Sequence, residues 1–458
     1  MNILLIVIDT LRADHLSCYG YFRETSPTMD RLAREGVLFE NFYASGIATG
    51  PGFTSIITGL YPINHKYYIT PYDIPNAYQL DDDIPVLAEI LWDHGYVTAA
   101  VDNLINFRSH IKHFVRGYEY YMNPTKTSRW VHHHVIADEV NKKAVSWIRQ
   151  HSYEKFFLFV HYWDPHTPYN QPEGFRKVFK HKKGDFNDLL VLKARAQYDF
   201  VPGWGKIDEI IEGDENKSID LYDGEILYVD NAIAELVQVL KDEGILDDTL
   251  IIITSDHGEQ LGQHGIWGHA GLHESVIKIP LIMRYPKKLP QGLRIRDYAQ
   301  HVDIVPTILD IAEIRTEYSF DGKSLLKLIK GERIRDYVIC ETWGERCIIK
   351  DGWKLILHYE PELKILQEIF PRPYKPYHFR AVRTILDKIK IEGNIGYELY
   401  NLEEDPMEVI NLVDRKRDKL IELKKEIDQW AKRYIKEVDP ILVLEKYTQP
   451  QPIEYQRI

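Results

Sequence analysis

Cysteine is scarce in this sequence. There are three in 458 residues: Cys18, Cys340 and Cys347. That count excludes a disulfide scaffold and fits a reducing compartment. No apolar run approaches the roughly 20 residues that cross a bilayer. The apolar segment 3–8 has no basic leader, stops at Asp9 and meets no small-residue cleavage site. It reads as a core strand, not as an export signal. A cytoplasmic protein without a membrane anchor is the expectation. Positive charge is also short, with 57 Lys and Arg against 69 Asp and Glu and a formal net charge of −12. That balance argues against a nucleic-acid partner. What remains is 44% hydrophobic and 28% charged, an ordinary globular mix that excludes a disordered chain.

Short apolar runs at 3–8, 96–101, 156–160 and 250–253 each end in polar residues. Continuous β-branched and aromatic runs of this kind predict strands buried on both faces, as in a parallel sheet. Helical patterns lie between them. Ser26-Pro27 running to Gly36 has an N-cap, a first-turn proline and a glycine stop, and the stretch from Pro51 to Gly59 repeats that layout. A longer amphipathic helix is expected over 220–243. The alternation predicts an α/β domain with a doubly wound, mostly parallel sheet flanked by helices over residues 1–331. After that the texture changes. Strand candidates at 337–341, 346–350 and 353–358, an Asp351-Gly352 turn and a charged helix over 414–436 predict a smaller antiparallel α+β unit at 332–436. An irregular tail follows at 437–458, and 184–213 reads as a long loop or insertion.

Four segments carry chemistry. Asp9 ends the first strand, where a carboxylate either ligates a metal or caps the turn. Ser255-Asp256-His257-Gly258-Glu259 delivers a carboxylate and an imidazole side by side, a donor pair that suits Zn²⁺, Mn²⁺ or a similar ion. Thr49 lies just ahead of Pro51, the expected first helical residue. There it either caps the helix or offers a hydroxyl to an anion held by free N–H groups. Finally His161, His166, His264 and His269 sit in polar loops after strands, poor core material but suited to proton transfer and oxyanion binding. His132-His133-His134 has no strand-end context and reads as a solvated patch.

Together these segments resemble the sulfatase family of the alkaline-phosphatase superfamily. The resemblance rests on Asp9-Thr10-Leu11-Arg12-Ala13-Asp14, on the 49–62 segment closing with Thr58-Gly59-Leu60-Tyr61-Pro62, and on Asp164-Pro165-His166-Thr167-Pro168-Tyr169. It continues through Ser255-Asp256-His257-Gly258, His269, Ile279-Pro280-Leu281 and His301-Val302-Asp303-Ile304-Val305-Pro306-Thr307. The segment from Glu398-Leu399-Tyr400-Asn401-Leu402 to Asn411-Leu412 closes it. The order of these motifs is more specific than any one of them.

The resemblance implies a divalent metal held by Asp9, Asp256, His257 and Thr49, with Thr49 as nucleophile. It implies that His166 and His269 contact the sulfate or phosphate or assist the leaving group. Asn103 matches a further substrate-binding position. The departures shape the expected chemistry. Sulfatases begin the nucleophile segment with a cysteine or serine that becomes formylglycine, followed by x-Pro-Ser-Arg. Here it reads Thr49-Gly50-Pro51-Gly52-Phe53. Threonine cannot become that aldehyde, but its phosphate ester can be attacked at phosphorus by water. The usual second aspartate is Thr10, which points toward Mn or Zn rather than Ca or Mg. The expectation is a hydrolase of phosphate (di)esters or sulfate esters acting by in-line attack of Thr49 on a small anionic ester. Phosphodiesters or phosphonate monoesters should outpace phosphomonoesters, and aryl sulfates should be weak substrates. A phosphoalcohol transferase and a catalytically silent metal- or anion-binding homologue are the alternatives.

Overall fold

A computed structural model describes residues 1–68, 80–104, 112–125, 135–167, 169–182, 216–359, 389–436 and 438–442. The expected loop at 184–213, the 132–134 patch and most of the expected tail lie outside these residues. An eight-stranded sheet forms the centre. Its strands are β1 (Asn2–Ile8), β2 (Val37–Phe39), β3 (Val97–Val101), β4 (Tyr120–Met122), β5 (Phe156–Tyr162), β6 (Thr249–Thr254), β7 (Leu281–Arg284) and β8 (Leu293–Ile295). The spatial order is β8-β2-β7-β6-β1-β5-β3-β4. Only β7 runs against the others. β1 and β6 are buried along their whole length, as their unbroken apolar runs predict for strands covered on both faces.

Helices α1 (Pro27–Arg34), α2 (Thr49–Thr58), α3 (Ala137–His151), α4 (Asn216–Asp242) and α5 (Ile304–Ile311) surround the sheet. α1 and α3 pack on α4, and α2 packs on α5. Two helix starts differ from the sequence reading. Ser26 makes no capping bond and donates its hydroxyl to Asp30 at 2.9 Å. The N–H groups of Thr28 and Met29 go instead to Asp230 on α4, both at 2.8 Å, because a carboxylate brought in by packing meets the positive helix end better than a hydroxyl. α2 begins two residues earlier than expected, with the first helical bond running from Gly52 N–H to Ala48 O at 2.9 Å. Pro51 is tolerated at its third position because N–H groups of the first turn have no intrahelical partner.

The C-terminal region forms a five-stranded antiparallel sheet. It contains β9 (Tyr337–Thr342), β10 (Glu345–Lys350), β11 (Trp353–Tyr359), β12 (Lys390–Glu392) and β13 (Ile395–Asn401), in the order β9-β10-β11-β13-β12. Asp351 and Gly352 both adopt positive φ, the backbone that a two-residue hairpin turn requires. Alternate residues serve different cores. Ile339, Ile348, Leu355 and Leu399 pack with Leu423, Ile427 and Trp430 of α6 (Arg417–Lys432). Val338, Cys340, Cys347, Ile349 and Ile356 join the core of the large sheet. The smaller unit therefore shares one face with the catalytic region.

Candidate active site

Strand register carries distant segments to one edge. Ile8 lies opposite Tyr162, and Val7 opposite Thr254. The next residues, Asp9, Trp163 and Ser255-Asp256-His257, therefore emerge together at the carboxyl ends of parallel strands, where ligands bind in such sheets. One donor atom from each of Asp9, Asp256 and His257 lies within 4.8 Å of the others, and all three residues are buried. Thr10 and His257 donate backbone N–H groups to Asp256 Oδ1 at 3.2 and 2.8 Å. Thr10 reaches that position with φ +57°, a strained conformation for a β-branched residue. Asp256 Oδ2 and both Asp9 oxygens are buried without a hydrogen-bond partner.

His257 completes the donor set. Its Nδ1–H bonds to the Gly258 carbonyl at 2.9 Å, which leaves the Nε2 lone pair 3.4 Å from Asp256 Oδ2. Burial keeps this imidazole neutral, lowering its pKa to about 3. Burial and the neighbouring Asp9 charge push the Asp256 carboxyl well above the ordinary range. Two carboxylates taken out of water side by side cost several kcal/mol each unless a cation joins them. Orphaned oxygens and a neutral imidazole nitrogen facing one another fit a divalent metal ion.

Thr49, the first residue of α2, is 4% exposed, and its Oγ1 lies 3.4 Å from His257 Nε2. Ala48 takes the cap position, so Thr49 lies inside the helix and is not its cap. Gly52 explains one departure from the sulfatase pattern. A Cβ there would come within 2.7 Å of the Asp256 carbonyl oxygen, so a side chain would force α2 away from the end of β6. Phe53, in place of the usual arginine, packs edge-on against His161 with ring centroids 4.7 Å apart. The loop ahead of Thr49 is tied to the C-terminal sheet. Ile47 N–H donates to Glu341 O at 3.1 Å, and the Thr342 hydroxyl donates to Ile47 O at 2.9 Å. His301 joins the same loop to the metal strand, accepting from Ser45 N–H at 3.3 Å and donating to Ser255 O at 2.8 Å.

The other expected residues surround this centre. His269 lies with its ring 4.6 Å from His257 and 5.6 Å from His166. Burial works against a charged His269, but Glu259, 3.3 Å from Nδ1, outweighs it and raises the pKa. His166 turns Nδ1 to the Thr167 carbonyl at 2.5 Å. Asn103 accepts a hydrogen bond from the Trp163 indole and donates to Thr125 Oγ1 at 3.1 Å. Two residues not assigned a role from the sequence belong here too, Glu259 and Asp102, and His161, expected in a loop, lies inside β5. His161 Nδ1 lies 2.7 Å from Asp102 Oδ1, and its Nε2 lies 3.8 Å from Asp9 Oδ2. Their signal was the polar residue at the end of each strand. What each one faces depends on neighbouring strands.

Residues 1–314 match the family model described as Sulfatase. The chain belongs to the sulfatase family. Among curated relatives of this chain, the multifunctional alkaline phosphatase superfamily protein PehA of Trinickia caryophylli is 24% identical and covers 88% of this chain and 91% of its own. The N-acetylglucosamine-6-O-sulfatase of Bacteroides thetaiotaomicron is also 24% identical, covering 96% and 87%. The crystal structure of a phosphonate monoester hydrolase of Agrobacterium radiobacter superposes with a TM-score of 0.74 at 20% identity, covering 95% of this chain and 96% of that one. The fold is thus alkaline-phosphatase-like, and the family is one of hydrolases. No helix among the described residues is long and apolar enough to cross a membrane.

Proposed function

We propose that this sulfatase-family hydrolase uses Thr49 as its nucleophile, depends on Mn²⁺ or Zn²⁺, and prefers phosphodiesters or phosphonate monoesters. The observation that carries the reading is the Thr49 hydroxyl, buried at a helix start, not used for capping and 3.4 Å from His257 Nε2. A divalent ion at Asp9, Asp256 and His257 would supply the charge that lowers the hydroxyl pKa and offsets the substrate anion. The Thr49 hydroxyl loses its proton to solvent, and Oγ1 bonds to phosphorus as the bond to the leaving oxygen breaks. His269, whose pKa Glu259 raises against the effect of burial, gives its proton to that oxygen. Water then attacks phosphorus from the opposite side and passes a proton to His269. Thr49 Oγ1 departs and regains a proton from solvent. The Thr49 N–H at the start of α2 and the His166 ring hold the non-bridging oxygens.

Charge supports the substrate class. Asn103 and His269 stand where sulfatases often carry lysines, so the site offers less fixed positive charge than a doubly charged phosphomonoester needs. The names of PehA and of the phosphonate monoester hydrolase are in keeping with this reading. Three unpaired thiols, including Cys340 and Cys347 opposite one another on β9 and β10, support a cytoplasmic place of work. The test is a panel of phosphodiesters, phosphonate monoesters, phosphomonoesters and aryl sulfates assayed with Mn²⁺ and with Zn²⁺. Phosphodiesters or phosphonate monoesters should be cleaved fastest, and phosphate should be trapped on Thr49 with a slow substrate. Aryl sulfates turned over much faster than any phosphorus ester would overturn the reading.

A further inference from the structure

His161 is fully buried, and its Nε2 has no hydrogen-bond partner. The ring cannot turn to find one. Nδ1 is held by Asp102 Oδ1 at 2.7 Å. Asp102 is itself immobilised, its Oδ2 accepting from Leu104 N–H at 3.0 Å and from the Tyr121 hydroxyl. The rings of Phe53 and Trp163 lie against the imidazole, each with its centroid 4.7 Å away. The Nε2 edge is therefore presented to Asp9, whose Oδ2 is 3.8 Å away. His161 stands outside the group of donor atoms, from Asp9, Asp256 and His257, that lie within 4.8 Å of one another.

We propose that His161, oriented by Asp102, is a positioning residue that holds the Asp9 carboxylate in the rotamer that binds the metal. Asp9 has two buried oxygens and no hydrogen-bond donor of its own. No hydrogen bond among the described residues fixes its carboxylate at the strand end. Nε2 faces Oδ2, and a closure of roughly 1 Å forms a normal hydrogen bond with the ring carrying a proton on each nitrogen between the two carboxylates. It would restrain one oxygen and leave the other to the ion. The arrangement is the outer-contact logic by which metal-binding carboxylates are aimed and tuned. In this chain the ring takes its place from β5 and its orientation from β3.

The inference rests on the proposed metal site, and calorimetric titration of Mn²⁺ or Zn²⁺ into chelator-stripped protein separates the two. The parent should bind one ion per chain. His161→Phe, which keeps the packing against Phe53 and Trp163, should weaken binding by about 10–100-fold without lowering the thermal midpoint of the metal-free protein. Asp102→Asn should weaken it less, and it keeps the test alive if the Phe variant does not fold. His161→Gln, which retains an N–H near the Nε2 position, should recover most of the affinity. A merely structural role predicts the reverse, a lower metal-free midpoint with affinity unchanged. A parent that takes up no metal overturns both the metal reading and this inference. A parent that binds normally while His161→Phe binds within about twofold of it overturns the positioning role alone.

Discussion

Two buried polar regions of this molecule are built on opposite principles. At the ends of β1 and β6, Asp9 and Asp256 lie side by side with three carboxylate oxygens lacking a hydrogen-bond partner. Behind the C-terminal sheet, charges are just as deeply buried but matched. Lys354 lies 2.7 Å from Glu408 and 3.3 Å from Glu274. Glu398 lies 2.9 Å from both His273 and His358, and His358 is 2.7 Å from Glu345. On the opposite face of that sheet, toward α6, Arg346 pairs with Glu341 at 2.6 Å and Asp439 at 2.8 Å. A network closed on itself holds two parts of the chain together. A set of acceptors open toward one point waits for a ligand. Burial is the same in both places, so the pairing of each charge with an opposite one is what separates the two.

Four substitutions press on that contrast. The largest effect should come from Thr49→Ala, which should reduce turnover by several orders of magnitude with little change in thermal midpoint, since no cap is lost. Steady-state kinetics and a melting curve check it, and near-normal turnover would remove Thr49 from the chemistry. Next is Lys354→Met, which removes a matched charge at nearly constant volume and strands Glu274 and Glu408. It should cost about 3–5 kcal/mol in denaturant unfolding while leaving metal affinity intact. Asp256→Asn should do the opposite. It removes one of two adjacent buried like charges, so the chelated protein should be as stable as the parent or more stable, while metal binding and activity are lost. A chelated Asp256→Asn protein much less stable than its parent would erase the distinction between the two regions.

The smallest effect concerns Asp164 and Glu225, an acidic pair that belongs to neither class. Burial pushes Asp164 up to about 7 and, together with the Asp164 charge, pushes Glu225 well above its ordinary value. The folded state then binds more protons than the unfolded chain between about pH 4 and 7. Stability should fall as pH rises through that window. Glu225→Gln, which keeps the acceptor for Gln171 N–H, should flatten the fall. Chemical denaturation at pH 5 and at about pH 8 measures it, and parallel curves for parent and variant would refute the assignment.

Much of the site was legible in the chain. Asp9, Asp256 and His257 follow apolar runs, and a run that stops at a polar residue marks the exposed end of a buried strand. Thr49, Pro51 and Gly59 bracket a helix whose end was read correctly and whose start was two residues off, since proline is allowed anywhere in a first turn. Gly52 looked like a loss relative to the sulfatase pattern, and only the approach of α2 to the Asp256 carbonyl shows it to be a packing requirement. Likewise the hairpin at Asp351-Gly352 was readable, whereas the sharing of its sheet between two cores was not.

Periodicity, turn chemistry and the polar residue closing each strand are local properties, and the sequence alone determined them. The meeting of Asp102 with His161 across 59 positions, or of Lys354 with Glu274 across 80, was not legible there. Those partners were decided by the tertiary structure. The pairing of β3 with β5 aligns Val101 with Val160 and so brings Asp102 level with His161. A shift of one residue would send every side chain to the other face. Register is settled by the whole apolar core closing at once, and no single segment carries that information.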